Sequence, residues 1–233
     1  MKNPKQLVFV RHGQTGLNVA RARSPIFFAT AEDRAPFIGL PDHRVPLTEK
    51  GQQQARETGN GLWTAGFRFT QVYDSGYVRT EQTLDLVLEK FWAEGALPAN
   101  RKHSILIRER EAGYAYCMTG TEVQERFPWF QEYWQTLGPV FGRPLGGESV
   151  ADVIARVKPF LEQLGTDENE ERVLVVTHGR VMAAVRYLLE NWTYDQLEKY
   201  LHEHGCRNCG VTVYERNQKT GQLGLKEYDT TYY

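Results

Sequence analysis

The chain has 233 residues, long enough to bury a sizeable core without disulfide or metal staples. Its 28 Lys and Arg nearly balance its 29 Asp and Glu, and a net charge of −1 argues against a nucleic-acid partner, whose binders carry a basic excess. Five Trp, 12 Tyr and 11 Phe supply burial that disordered chains lack.

In chain order, Gln6–Arg11 (QLVFVR) reads as a buried strand. Residues 21–44 are Pro-rich with few helix signals. Thr48 follows Pro46-Leu47 and can cap a helix reaching about Trp63. Residues 69–74 are a second strand candidate. Val78, Leu84, Val87, Leu88 and Phe91 then fall largely at three- and four-residue spacing, as on a helix face. Residues 104–108 (SILIR) are a third strand candidate. Residues 113–147 are rich in aromatics and break the rhythm. Over 149–164, seven apolar residues from Val150 to Leu164 form one stripe, and Ser149 with Asp152 has capping-box spacing. Pro159 removes one backbone donor there and predicts a kink. The acidic run 167–171 reads as a solvated loop. Arg172–Thr177 (RVLVVT) is a strong strand, followed by a helix over 181–190. Residues 211–215 and 223–228 pair around Lys219-Thr220-Gly221 as a late antiparallel hairpin.

Strands that alternate with helices predict an α/β fold. The expected form is a three-layer sandwich with a mostly parallel central sheet, helices on both faces, and an inserted helical and loop cap. One domain over 1–233 is expected, with insertions at about 21–44 and 113–147 covering the active site. Cys117, Cys206 and Cys209 are too few, and odd in number, for a disulfide framework. Only four apolar residues follow the start, and no run approaches the roughly 20 that a membrane span needs. A cytoplasmic protein with no membrane partner is expected. Oligomeric state is not encoded in any pattern of the chain.

Ligands of such sheets sit beyond the carboxyl ends of the strands. The first strand ends in Arg11-His12-Gly13, and RVLVVT ends in Thr177-His178-Gly179. If these strands are neighbours, the two histidines converge. LVFVRHGQTGLN resembles the opening signature of the histidine phosphatase, or phosphoglycerate-mutase-like, superfamily. Pro46-Leu47-Thr48-Glu49-Lys50-Gly51 with Gln54-Ala55 resembles the family's PLTxxG…QA helix start. Residues 75–83, with Arg79, Gln82 and Thr83, are similar to its SxxxRxxQT segment. Residues 107–113 are similar to its LRExxxG segment. Gly147-Glu148-Ser149 and VVTHG complete the order.

Phosphoryl transfer needs positioning and charge neutralisation more than covalent help. Arg11 and Arg79 supply planar forks for phosphate oxygens. A neutral imidazole is a good nucleophile, and His12 would attack phosphorus to form a phosphohistidine. The resemblance implies this role for His12, and implies that His178 binds the phosphoryl group and stabilises its transition-state charge. It also implies that Asn18 contacts phosphate, and Gly179 can offer a backbone donor at a helix start. Gly13 is expected to let the backbone turn tightly. A leaving alkoxide needs an acid, for which a carboxyl of raised pKa is suited. By the family's spacing this is Glu109, with Glu111 as the alternative.

Other signals are weaker. His202, His204, Cys206 and Cys209 are zinc-ligand types, but their spacing is compressed, and neither metal nor cofactor is expected. Tyr114, Tyr116, Trp129, Phe130, Tyr133, Trp134 and Phe141 read as packing of an inserted subdomain, with a lid over the substrate as the alternative. Arg21, Arg23, Arg34 and Arg44 read as solvated charges or as a site for a second anion. The expected activity is metal-independent hydrolysis of a small phosphomonoester through phosphohistidine. A phosphoglycerate mutase is the first alternative, although Glu111 stands where mutases of the family carry a His in their ERHYG segment. A non-catalytic phospholigand-binding module is the second.

Overall fold

Among the described residues, six strands form one sheet: β1 (Gln6–Arg11), β2 (Gln71–Asp74), β3 (Asn100–His103), β4 (Arg172–Thr177), β5 (Val211–Arg216) and β6 (Leu223–Thr230). The computed structural model describes residues 3–22, 27–96, 98, 100–164, 171–203 and 205–233. The spatial order is β3-β2-β4-β1-β5-β6. The first four run parallel to their neighbours, and β5 and β6 are antiparallel.

The helices are α1 (Gly16–Ala20), α2 (Ala31–Arg34), α3 (Glu49–Thr64), α4 (Val78–Ala93), α5 (Gly120–Arg126), α6 (Phe130–Phe141), α7 (Val150–Leu164), α8 (Gly179–Leu189) and α9 (Tyr194–Glu203). Both faces of the central strands are covered, which is why β1 and β4 read as unbroken apolar runs. On one face Leu7, Phe9, Val173 and Val175 pack against Val153, Val157 and Phe160 of α7 and Val181, Met182 and Val185 of α8. On the other, Val8, Val10, Leu174 and Val176 meet Ala55 and Leu62 of α3 and Leu84, Val87 and Phe91 of α4. Each large apolar side chain buried this way contributes about 1.5–3 kcal/mol. Cys206 lies in the first cluster and Cys209 in the second, so the sheet separates them.

The expected caps form. The Thr48 hydroxyl accepts the Gly51 N–H at the head of α3. Ser149 and Asp152 exchange hydrogen bonds at the head of α7, which continues through Pro159 to Leu164. Two strand expectations change. Residues 104–108 contain a 3-10 turn at Ile105–Ile107, and the pairing strand is the preceding Asn100–His103, exposed at all four positions. Its edge location needs no apolar face, so it carries no apolar pattern. Residues 69–70 precede β2 rather than belonging to it.

Segment 21–44 contains α2 and 3-10 turns at Ala35–Phe37 and Asp42–Arg44, more helical than its composition predicts. Thr30 caps α2 by accepting the Asp33 N–H. Segment 113–147 contains a 3-10 turn at Gly113–Cys117, α5 and α6, with a break at Gly138 (φ 65°) before Pro139. The acidic residues 167–170, together with Arg23 and His204, lie outside the described residues. Among the described residues, no helix is long and apolar enough to cross a membrane.

Helices α3 and α4 touch at Gly59, where an added Cβ would lie 2.3 Å from the Val87 carbonyl oxygen. Backbone cannot yield as a flexible side chain does. Gly59→Ala is therefore expected to destabilise the fold by about 1–3 kcal/mol, read as a lower urea midpoint at unchanged slope.

Candidate active site

β1 and β4 pair in parallel from Gln6↔Arg172 to Arg11↔Thr177, so the residues just past both strands are His12 and His178. The His12 N–H donates to Thr177 O at 2.9 Å, carrying the pairing one residue further. The two imidazole rings are 5.2 Å apart, centre to centre. Both are buried, His178 completely.

Donor counting assigns the tautomers. His12 Nδ1 is 2.8 Å from Gly13 O, which only accepts, so Nδ1 carries the proton and Nε2 keeps its lone pair. Around His178, the Thr80 hydroxyl donates to Tyr77 O at 2.8 Å. The Ser75 hydroxyl, 2.9 Å from Thr80 Oγ1, must then donate to it. His178 Nε2, 2.8 Å from Ser75 Oγ, must in turn be the N–H donor. His178 Nδ1 is thus left with a lone pair, buried and without a partner. It can donate to a phosphoryl oxygen only after taking up a proton, which a bound dianion favours.

The Gly13 loop is seated by several groups. Gly13 N–H donates to Thr83 Oγ1, Gln14 N–H to Gln54 Oε1, and Leu47 N–H to Gln82 Oε1. Gly13 has no left-handed φ. Its Cβ would fall 2.4 Å from Gly51 O, so close packing on the head of α3, not a tight turn, is what excludes a side chain there.

A cavity of about 620 Å³ opens at this edge and is lined by Arg11, His12, Asn18, Arg79, Glu109 and Gly179. A carboxylate oxygen of Glu109 and one ring nitrogen of each histidine lie within 4.8 Å of one another. Glu111 is exposed, and its carboxylate accepts the Gly113 N–H at 3.3 Å instead. Asn18 Oδ1 accepts from Thr15 N–H and from Asn208 Nδ2, which commits its oxygen to the protein. Helix α8 has no side-chain cap, leaving the N–H groups of its first turn free at the cavity.

Arg79 is buried and already engaged. Its guanidinium donates to both Asp42 carboxylate oxygens at 3.1 Å and to Asp42 O at 2.6 Å. Arg11 donates to Cys206 O at 2.5 Å, and its Nε is buried without a partner.

Residues 7–227 match the family described as the histidine phosphatase superfamily, branch 1. The chain belongs to this superfamily. A phosphoglycerate mutase-like protein of Arabidopsis thaliana is 28% identical, with 91% of this chain and 74% of that one aligned. The 2,3-bisphosphoglycerate-dependent phosphoglycerate mutase of Nitrobacter hamburgensis is 32% identical, over 83% of this chain and 84% of that one. The alpha-ribazole phosphatase of Shigella flexneri has the same fold (TM-score 0.73, 19% identity, 97% and 96% covered). So does a mycobacterial glucosyl-3-phosphoglycerate phosphatase solved with inorganic phosphate (TM-score 0.68, 21% identity, 98% of each chain). As a member of this superfamily, the protein is an enzyme acting on phosphoesters.

Several site residues carry no sequence signal of their own. Asp42 is one Asp in a Pro-rich loop. Asn208, which donates to His12 O at 2.9 Å, sits inside the run read for zinc. Ser75 and Arg180 adjoin the motifs and were legible by position. Of the candidate second-anion arginines, Arg21 lines the cavity, Arg34 pairs with Glu122, and Arg44 is exposed. Among the aromatics, Tyr116 lines the cavity, whereas Trp129, Phe130, Tyr133 and Trp134 pack on one another. Among the described residues, two clusters have metal-ligand types: the site trio, and Asp74, Glu81 and His103. Arg11 and Arg79 flank the first, and Arg101 is paired with Asp74 in the second, charges that oppose a cation.

Burial first, then the charges of Arg79 and Arg11, hold His12 well below its usual pKa; burial and Arg79 do the same for His178. The folded histidines therefore refuse protons that the unfolded chain accepts below pH 6.5. Stability is full above pH 6.5 and falls as the pH drops toward the native values, by up to about 1.4 kcal/mol per pH unit for each histidine. His12→Gln is expected to flatten the slope of unfolding free energy between pH 7 and pH 5. An unchanged slope would remove His12 from the buried neutral groups.

Proposed function

We propose that this enzyme hydrolyses a small phosphomonoester through a phosphohistidine on His12, without a metal or other cofactor. The observation that carries this reading is the tautomer of His12. Its Nδ1 proton is spent on Gly13 O, its pKa is depressed, and Nε2 is a bare lone pair at the cavity. Nε2 attacks phosphorus as the bond to the leaving oxygen breaks. Arg11, Arg79, the Asn18 amide, the Gly179 N–H and protonated His178 offset the charge on the phosphoryl oxygens. Glu109 delivers its proton to the leaving alkoxide. It then takes a proton from the water that attacks the phosphohistidine, and His12 departs with its lone pair restored. Segments 21–44 and 113–147, which both contribute to the cavity wall, would select the substrate.

His12→Ala is expected to abolish turnover of p-nitrophenyl phosphate and the acid-labile label left on the protein by labelled substrate. Glu109→Gln should cost on the order of 10²-fold or more on an alkyl phosphate, whose leaving group needs a proton. It should cost far less on p-nitrophenyl phosphate, whose leaving group does not. Glu111→Gln should stay within a few-fold on both. A Glu111→Gln loss matching that of Glu109→Gln would reassign the acid.

The curated relatives favour a second reading, a phosphoglycerate mutase, since several of that name are about 30% identical. Against it stands Glu111, at the position of a mutase His and outside the cavity lining. Interconversion of 2- and 3-phosphoglycerate with a bisphosphate primer, faster than their hydrolysis, would decide for the mutase.

A further inference from the structure

His178 is held by a short turn between β2 and α4. Ser75 Oγ, in that turn, has no hydrogen-bonding capacity left. It accepts from His178 Nε2 at 2.8 Å and from Tyr77 N–H at 3.3 Å, and it donates to Thr80 Oγ1. The Tyr77 ring stands edge-to-face against the imidazole, with 5.1 Å between centres. Ser75 and Tyr77 thus set the protonated nitrogen and the tilt of His178.

The turn is itself held by a buried carboxylate. Asp74, the last residue of β2, is fully buried, and its Oδ1 accepts the Gly76 N–H at 2.8 Å. That bond spans Ser75 and fixes the backbone on either side of it, as an Asx turn does. Gly76 completes the turn with φ 76°, in the left-handed region.

A buried carboxylate is costly unless it is paired. Both charged partners come from β3. His103 stands opposite Asp74 in the parallel ladder, and Arg101, two residues back, shares its sheet face. His103 Nδ1 donates to Asp74 Oδ1 at 2.6 Å, and Arg101 Nε donates to Oδ2 at 3.0 Å. Arg101 also bonds Asp85, so it ties the edge strand to α4 as well as to the turn. Glu81 of α4 lies 3.9 Å from the same His103 nitrogen. β3 is exposed at all four positions, so burial of its own side chains does not account for this arrangement. Asp74, Arg101 and His103 are absent from the cavity lining, and the phosphoryl chemistry above uses none of them.

Resting on the role given to His178 above, we propose that Asp74 is a positioning residue for it. Held by Arg101 and His103, Asp74 locks the turn that aims Ser75 at Nε2. Nδ1 is thereby kept as the nitrogen that takes up a proton and meets the phosphoryl group. Without the lock Ser75 loses its fixed place, and the imidazole loses its reason to keep the proton on Nε2. The edge strand then contributes to the reaction without touching substrate.

A double-mutant cycle with Ser75 tests this on the full chain. Its readouts are turnover of p-nitrophenyl phosphate and the His178 tautomer by 15N NMR. Asp74→Ala and Ser75→Ala are each expected to lower kcat by about tenfold, more than they change KM, and to populate the Nδ1–H tautomer. The double variant should be no slower than Ser75→Ala, since Asp74 acts through Ser75. Asp74→Asn keeps an acceptor for the Gly76 N–H and should lose no more than about threefold. Arg101→Gln should give a smaller loss of the same kind, absent in the Ser75→Ala background. Additive losses overturn the proposal, as does an Asp74→Ala enzyme with wild-type kcat or with His178 still protonated on Nε2 alone. If Asp74→Ala fails to fold, Arg101→Gln takes its place in the cycle under the same criteria. Failure of the phosphatase reading looks different: the wild type turns over no ester. The tautomer, which needs no substrate, then decides by itself.

Discussion

The parallel pairing of β1 with β4 sets the position of everything chemical in this protein. Its register places Arg11 beside Thr177, and the next residue on each strand is a histidine. A slip of two residues would preserve the buried faces but separate the rings by about 6.6 Å along the strand axis. A slip of one would turn every valine of β4 to the wrong layer. The register is held from both sides, because Leu7, Phe9, Val173 and Val175 interlock with α7 and α8 while Val8, Val10, Leu174 and Val176 interlock with α3 and α4. The precision of the site is therefore a consequence of core packing, and the loops inherit it. Gly13 and Gly51 extend the constraint outward, since each lies against backbone of the other's segment and neither can carry a Cβ.

A second consequence is electrostatic. Two imidazoles buried against Arg11 and Arg79 stay neutral where an exposed histidine would begin to charge. Neutrality gives His12 a lone pair and leaves His178 as a proton acceptor until an anion arrives. The hydrogen-bonded chain from His178 through Ser75 and Thr80 to Tyr77 O fixes Nε2 as the protonated nitrogen and leaves Nδ1 without a partner. Asp42 serves the same end by another route. It holds the Arg79 fork with both carboxylate oxygens, which limits the rotamers that Arg79 loses when phosphate binds, at the cost of a negative charge near the site.

What was legible in the sequence follows how deeply each part is buried. β1, β4 and α7 announce themselves because burial imposes an apolar pattern on them. The family motifs are legible because their glutamines and glycines hold backbone: Gln54 and Gln82 each accept an N–H of the loops around His12. β3 was hidden, since Asn100, Arg101, Lys102 and His103 all face solvent at the sheet edge. SILIR misled because Ile107 is buried through a 3-10 turn, where apolar residues follow no period of two. Asp42 was illegible for a different reason. Its role arises from a contact between segments far apart in sequence, with Arg79, and no local pattern encodes a meeting of that kind.

The near-zero net charge of the chain acquires a different meaning in this light. A balanced total is compatible with a strongly cationic interior surface provided the compensating carboxylates sit elsewhere, and they do: Glu49, Glu125, Glu132 and Asp195 are exposed and form no ion pair among the described residues. The cavity arginines are in the opposite situation, partly desolvated and close together, so their repulsion is a standing cost to the folded state. A fold tolerates that cost where an anionic ligand relieves it.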